Sequence, residues 1–300
     1  MNTPKRGFEV SEYENRLDNI QRLMFEEKMD AILLTTQVDI EYYTGFKSQF
    51  FQSPTRPWYV LIPSSGKPKA IIPTIGESGM RDTWIEDIQT WTSPNPEDDG
   101  ISILLSTIKS LMVNHKSLGV PKTLESTLRM PLEDYETLIN KLPGIEIKDA
   151  NKIMRRVRFV KSKAEIDKIR HICQITSQGF IDLEGLLRAG ETEQENCRRF
   201  KQHLLKLGVD DSPYIVSGSG QEGYGRLLWA QLIRSLKKVI CSLLIQAQCL
   251  IVTTVILIET MPLAQSVMRQ KKPIGWLMRQ PRLVLRPLRL GTLPQISLML

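Results

Sequence analysis

The chain has 300 residues and a formal net charge of +7, and this length fits about two domains. Residues 226–300 hold 11 Lys and Arg against one acidic residue, whereas residues 1–225 hold 29 against 32. The excess of basic residues therefore lies in the C-terminal quarter. Because it is not a property of the whole chain, we expect no nucleic-acid partner. The four cysteines lack paired or metal-ligand spacing, and the N-terminus lacks the apolar core of a signal peptide, so we expect reduced thiols in a cytoplasmic protein.

The first elements alternate between helix and strand. Residues 11–28 predict an amphipathic helix, and residues 30–34 predict a short apolar strand. A helical turn that ends at a glycine follows over residues 40–45. On the helix we expect four side chains to face inward: Leu17, Ile20, Leu23 and Met24.

The rest of the N-terminal part continues this alternation. Residues 58–63 and 69–75 predict an antiparallel hairpin, because the loop between them contains glycine and proline. Residues 85–92 read as extended, and residues 151–158 read as a basic linker. We expect two more helices and two more strands, over residues 101–114, 131–142, 117–120 and 145–148. Residues 1–155 thus predict an α/β domain of three layers with a mixed sheet.

A helical hairpin follows, marked by two capping boxes. Ser162-Lys-Ala-Glu165 predicts the start of one helix and Thr192-Glu-Gln-Glu195 the start of another. The buried face of the first helix is expected to hold apolar and small residues three and four apart: Ile166, Ile169, Cys173, Thr176, Phe180, Leu183 and Leu187. Periodicity alone would fit any two-helix hairpin.

The phrase from Arg158 to Arg170, the second capped helix, and Pro213-Tyr-Ile-Val-Ser-Gly-Ser-Gly220 together resemble the creatinase, prolidase and Xaa-Pro aminopeptidase family. The resemblance covers residues from about 8 to 225. It implies a creatinase-type N-terminal domain over residues 1–155. It also implies that residues 156–225 are the first hairpin and strand of an α+β pita-bread catalytic domain.

The resemblance carries expectations about activity. It implies metal-dependent hydrolysis of a small peptide or amide, with two divalent metal ions (Mn, Co or Zn) in intact members, and a homodimer. The aromatic segment, residues 50–58, is expected to help wall a substrate pocket, although packing inside the N-terminal domain is an alternative for its rings. The candidate substrate-binding residues are Phe50, Phe51, Arg56, Trp58 and Tyr224.

Three other patterns give weaker signals. Gly218-Ser-Gly-Gln-Glu-Gly223 matches Gly-x-Gly-x-x-Gly, but no acidic residue follows about twenty positions on, so we do not expect a dinucleotide site. Three arginines stand close together, at positions 155, 156 and 158. They could bind a phosphate group, or they could form a solvated face of the linker. The three histidines share no metal-binding motif.

The tail differs in kind from the rest. Residues 226–300 contain seventeen leucines and two glycines, but no Asp, Asn, His, Phe or Tyr. The family's metal-binding carboxylates and histidine are therefore missing, and no residue of the chain is assigned as catalytic or as a metal ligand.

A shift of the reading frame explains this absence. Residues 253–264, back-translated with permitted codons and regrouped by one base, can spell Tyr-Tyr-Cys-Asp-Phe-Asp-Arg-Asn-Tyr-Ala-Ile-Gly, which resembles the family's second metal-binding strand. Residues 243–247 likewise permit Phe-Ile-Asp-Thr-Gly. We therefore predict a one-base frame slip near residues 224–227, which makes residues 226–300 a non-native tail and the chain inactive.

Two alternatives remain. Residues 239–258 contain no charged side chain and directly follow two lysines. A membrane tether through this stretch is therefore one alternative. The other is a non-catalytic interaction protein built on the N-terminal domain.

Overall fold

A computed structural model describes residues 3–53, 56–218, 240–250 and 253–263. The helices are α1 (Val10–Glu26), α2 (Gln37–Thr44), α3 (Glu77–Arg81), α4 (Ile101–Leu111), α5 (Leu132–Asn140), α6 (Asn151–Phe159), α7 (Lys163–Leu186) and α8 (Glu193–Leu207). The strands are β1 (Ala31–Leu34), β2 (Tyr59–Pro63), β3 (Lys69–Pro73), β4 (Asp87–Trp91), β5 (Ser117–Val120), β6 (Glu146–Asp149), β7 (Asp211–Gly218), β8 (Ile240–Leu250) and β9 (Thr253–Leu263).

The first six strands form one mixed sheet in the order β4-β3-β2-β1-β5-β6. Strand β2 pairs antiparallel with both β1 and β3, as the predicted hairpin requires. The pairs β1 with β5, β5 with β6, and β3 with β4 are parallel. The prediction of an α/β domain with a mixed sheet is confirmed.

Both faces of this sheet are buried, which explains why β1 is apolar at every position. Side chains alternate between faces along a strand, so Ile32 and Leu34 belong to one hydrophobic cluster, while Ala31 and Leu33 belong to another. Residues of α1, α2 and α6 share the first cluster, and residues of α4 and α5 share the second. Helices therefore cover both faces, as a three-layer arrangement requires.

The predicted helix ends are also observed. Gly45 ends α2 with a left-handed φ of 77°, and its N–H bonds to the carbonyl of Glu41. In the first capping box, Ser162 N–H donates to the Glu165 carboxylate at 2.9 Å, and Glu165 N–H donates to the serine hydroxyl at 3.1 Å. The second box, between Thr192 and Glu195, has the corresponding bonds at 2.8 and 3.2 Å.

Two local predictions were wrong. Residues 151–158 are not a linker but most of α6, whose Ile153, Met154 and Val157 are buried in the first cluster. The buried face of α7 is rotated from the predicted one near its start. Ile166 is exposed and Ile172 is fully buried.

The described residues divide into two compact units. The first holds described residues of 1–181, 204–213 and 247–256, and the second holds described residues of 182–203, 214–246 and from 257 on. The predicted domain boundary, between residues 155 and 156, lies inside α6 and stays a prediction.

Strands β8 and β9 follow β7 in a second sheet, in the order β7-β8-β9. No strand is predicted in this tail from the sequence. Threonine, valine and isoleucine are frequent in it, and these residues favour extended backbone. In the stretch proposed as a membrane tether, the described residues are strands, and the described part of the chain has no helix long and apolar enough to cross a membrane.

Candidate functional site

The aromatic segment (residues 50–58, described except for 54 and 55) folds so that its rings meet beside β2. The Phe51 and Trp58 ring centroids lie 5.5 Å apart, and those of Phe46 and Trp58 lie 5.3 Å apart. Trp58 is completely buried and Phe51 is 7% exposed, whereas Phe50 is 38% exposed. Burial of Phe51 and Trp58 favours packing for these two rings, and Phe50 remains accessible.

Arg129 organises this segment, and the sequence analysis missed it. Its guanidinium donates to the carbonyl of Arg56 at 3.1 Å and to the carbonyl of Ser53. It also lies 5.7 Å from the centroid of the Phe51 ring. The backbone N–H of Arg129 donates to the hydroxyl of Thr35 at 2.8 Å. Because Thr35 directly follows β1, Arg129 ties the segment to the carboxyl end of that strand.

The surface of the segment is formed by Phe50 and Arg56. The guanidinium of Arg56 lies 5.7 Å from the centroid of the Phe50 ring, and its backbone has a left-handed φ of 72°. Partial burial of the Arg129 guanidinium lowers its pKa, but an arginine stays charged at neutral pH. The structure thus brings together Phe50, Phe51, Arg56 and Trp58, while Tyr224 lies outside the described residues. Their contact with a substrate stays a prediction.

A second polar cluster joins α8 to β7 within the second unit. Ser217 donates from its hydroxyl to the Glu193 carboxylate at 2.5 Å, and Cys197 donates from its thiol to the Ser217 hydroxyl at 3.3 Å. All three side chains are buried. Burial raises the pKa of Cys197 to about 11, so its thiol is neutral and poorly nucleophilic. The sequence predicts a reduced thiol at Cys197 and gives no signal for its polar partners.

The described residues of this chain do not fit a pair of divalent metal ions. In the described parts, no group of three or more His, Cys, Asp or Glu side chains could hold a metal ion. The sequence of residues 219–300 contains two carboxylates, Glu222 and Glu259, and no histidine. A two-metal site needs several carboxylate and imidazole ligands, so no reaction step of this chain is derived through a metal.

Comparison with known proteins places these features in a family context. Residues 16–160 match the creatinase/prolidase N-terminal domain. An uncharacterized peptidase of Staphylococcus epidermidis is 21% identical over 201 residues, covering 66% of this chain and 52% of that protein. A probable dipeptidase PepE of Mycobacterium tuberculosis is 20% identical over 218 residues, covering 73% and 55%. The chain spans about half the length of the curated relatives it matches.

Solved structures share the fold. A dipeptidase PepE from Mycobacterium ulcerans aligns with a TM-score of 0.70 at 16% identity, over 85% of this chain and 65% of that one. A prolidase from Thermococcus sibiricus aligns with a TM-score of 0.71 at 17% identity, over 83% and 65%. These TM-scores support the fold, whereas the low identities leave the chemistry of this chain to its own residues.

Proposed function

Because residues 16–160 belong to the creatinase/prolidase N-terminal domain family, we propose that this chain derives from a metal-dependent hydrolase of small peptides or amides. We propose further that it is inactive in its present sequence, since residues 226–300 are translated in a shifted frame. The parent enzyme would act as a Xaa-Pro peptidase or on a creatine-like amide, and would form a homodimer.

One observation carries the proposal. Family-like sequence and consistent local structure continue together through both capping boxes into β7. The acidic residues and histidines needed by the chemistry are then absent from residues 226–300 except for Glu259. A one-base regrouping of the same stretch permits an Ile-Asp-Thr-Gly phrase and a Cys-Asp-Phe-Asp-Arg phrase. A simple loss of function by point substitution does not explain two phrases in one alternative frame.

The experiment compares two proteins. One is the unmodified chain, and the other has one base corrected within codons 224–227 and is translated to the stop codon of that frame. We expect the corrected protein to bind manganese, cobalt or zinc in stoichiometric amounts and to hydrolyse a Xaa-Pro dipeptide or a creatine-like amide. We expect the unmodified chain to do neither. Elemental analysis and amide hydrolysis assays measure both properties, with a chelated sample of the corrected protein as the control.

Each outcome decides one part of the proposal. Metal binding and hydrolysis by the unmodified chain would exclude the frame shift. A corrected protein that folds but has neither property would exclude the hydrolase and leave the N-terminal domain as an interaction module. Sedimentation of the corrected protein as a monomer would exclude the homodimer.

A further inference from the structure

A groove lies at the carboxyl ends of the parallel strands β1 and β5. The chain leaves β1 into α2, which packs on one face of the sheet, and it leaves β5 towards α5, which packs on the other face. In open α/β sheets, such a change of direction opens a crevice in which ligands bind. The topology of the first unit therefore supplies a binding crevice at this edge.

The groove has a volume of about 410 Å³, a size within the range of small-molecule sites. Its walls come from the segments after β1 and β5 and from α6. The residues that line the groove include Thr36, Asp39, Glu125, Asn151, Arg155 and Arg158.

The two arginines that line the groove differ in how firmly their guanidinium groups are paired. Arg158 donates to Asp39 at 2.9 Å and to the carbonyl of Val38 at 3.1 Å, and the Asp39 carboxylate also accepts the Thr36 hydroxyl. Arg155, by contrast, pairs with Glu125 at 3.1 Å, and the two side chains are 44% and 77% exposed. An exposed pair of this kind contributes little to stability. A ligand carboxylate can therefore replace Glu125 as the partner of Arg155.

The present partner of Arg155, the Glu125 carboxylate, indicates which chemical group of a ligand could bind at this arginine. Glu125 brings a carboxylate to the guanidinium from a backbone with a left-handed φ of 60°, a conformation that non-glycine residues seldom adopt. Arginine binds carboxylates through paired N–H donors. The Glu125 carboxylate thus occupies the position that the carboxylate of a ligand would take.

An apolar surface adjoins this position. A second cavity of about 670 Å³ shares Asn151 and Arg155 with the groove, and it is also lined by Leu124 and Phe159. Leu124 is 87% exposed and Phe159 is 68% exposed. The Arg155 guanidinium lies 5.4 Å from the centroid of the Phe159 ring. A carboxylate on Arg155 would therefore have an apolar contact surface beside it.

We propose that the groove and this surface bind a peptide residue that carries a carboxylate next to an apolar side chain. Arg155 pairs with the carboxylate in place of Glu125, and Leu124 and Phe159 contact the apolar group. Lys152, which lines the second cavity and is exposed, adds positive charge on the same helix. The proposal does not depend on peptidase activity.

The test uses the full chain and N-acetyl-leucine as the probe, with binding followed by ligand-observed NMR. We expect Arg155→Gln to weaken binding about tenfold, because a charge-assisted pair is lost. Glu125→Gln removes the competing carboxylate and should strengthen binding, by up to about fivefold. The matched control is Arg156→Gln on the same helix, whose arginine pairs with Glu26 instead, and it should leave binding unchanged.

Neutral and simpler probes complete the test. N-acetyl-leucinamide should bind at least about tenfold more weakly than the acid, since it lacks the charge, and acetate should bind more weakly than N-acetyl-leucine, since it lacks the apolar group. Unchanged binding in Arg155→Gln, weaker binding in Glu125→Gln, or equal binding of acid and amide would overturn the proposal. Inorganic phosphate that binds as tightly as N-acetyl-leucine would also overturn it, in favour of a general anion site.

Discussion

The guanidinium of Arg16 lies 3.2 Å from the carboxylate of Glu165, and both side chains are almost completely buried. The same glutamate closes the capping box of α7, because its second oxygen accepts the N–H of Ser162. Arg16 also donates to the carbonyl of Tyr42 at 2.7 Å, and it lies 4.2 Å from the centroid of the Tyr42 ring. One side chain thus joins α1, α2 and the start of α7 within the first unit.

We predict that Arg16→Ala lowers the free energy of unfolding by about 3 kcal/mol, because it leaves a buried carboxylate without its cation. The matched control is Arg22→Ala on the same helix. Arg22 pairs with Glu26 at 3.0 Å, but both side chains are about half exposed, so a change below about 0.5 kcal/mol is expected. Urea unfolding followed by circular dichroism measures both variants. Similar losses in the two would contradict a central role for Arg16.

The Arg16 contact also explains a miss of the sequence analysis. The local pattern of α7 allows two neighbouring faces to be buried, one with Ile166 and one with Glu165 and Ile172. The structure buries the second face, since Glu165 meets an arginine that lies 149 positions earlier. No local periodicity contains such a partner. The strands, caps and hairpin depend on neighbouring residues, and they were predictable for that reason.

A second prediction concerns the end of the N-terminal domain. A fragment of residues 1–160 should unfold cooperatively, whereas a fragment of residues 1–150 should not. The shorter fragment lacks Ile153, Met154 and Val157, which are all buried in the core. Each contributes about 1.5–3 kcal/mol, and the sum approaches the stability of a whole domain. Thermal unfolding by circular dichroism compares them, and equal midpoints would show that α6 is dispensable.

The error at α6 had a different cause from the error at α7. The arginines at 155, 156 and 158 give residues 151–158 the sequence pattern of a basic linker. Ile153, Met154 and Val157 lie on one helical face, and the exposed arginines Arg155 and Arg156 lie outside it. The amphipathic pattern was therefore present in the sequence, although the charge run obscured it.

A third prediction concerns the buried thiol. Burial raises the pKa of Cys197 to about 11, compared with 9.0 for a free cysteine. The folded chain holds this proton more tightly than the unfolded chain does, so the thiol stabilises the fold fully below pH 9 and loses this effect as the pH rises towards 11. At pH 8, iodoacetamide should therefore modify the partly exposed Cys173 before Cys197.

Peptide mass mapping of each cysteine gives the labelling rates for this test. Labelling in denaturant is the control, since both thiols are then equally accessible. Cys173 also has a raised pKa because of burial, so both native rates should lie below the denatured rates. Equal native rates for the two cysteines would contradict the burial of Cys197.

The candidate site was less predictable than the fold. Composition picked out the aromatic segment, since two phenylalanines and a tryptophan stand close together in sequence. It gave no sign of Arg129, whose contacts with Ser53 and Arg56 bridge 76 and 73 positions. It also could not separate buried rings from exposed ones, because the same residue types serve both purposes.

The last prediction separates packing from substrate contact in the aromatic segment. Trp58 is fully buried, so Trp58→Ala should lower the free energy of unfolding by about 3–5 kcal/mol. Phe50 is 38% exposed, and Phe50→Ala should cost about 1–2 kcal/mol, less than Trp58→Ala, because only part of its side chain is covered. In the frame-corrected protein, Phe50→Ala should instead raise KM for the amide substrate. Urea unfolding and steady-state kinetics decide this, and an unchanged KM with a large loss of stability would make Phe50 a packing residue like Trp58.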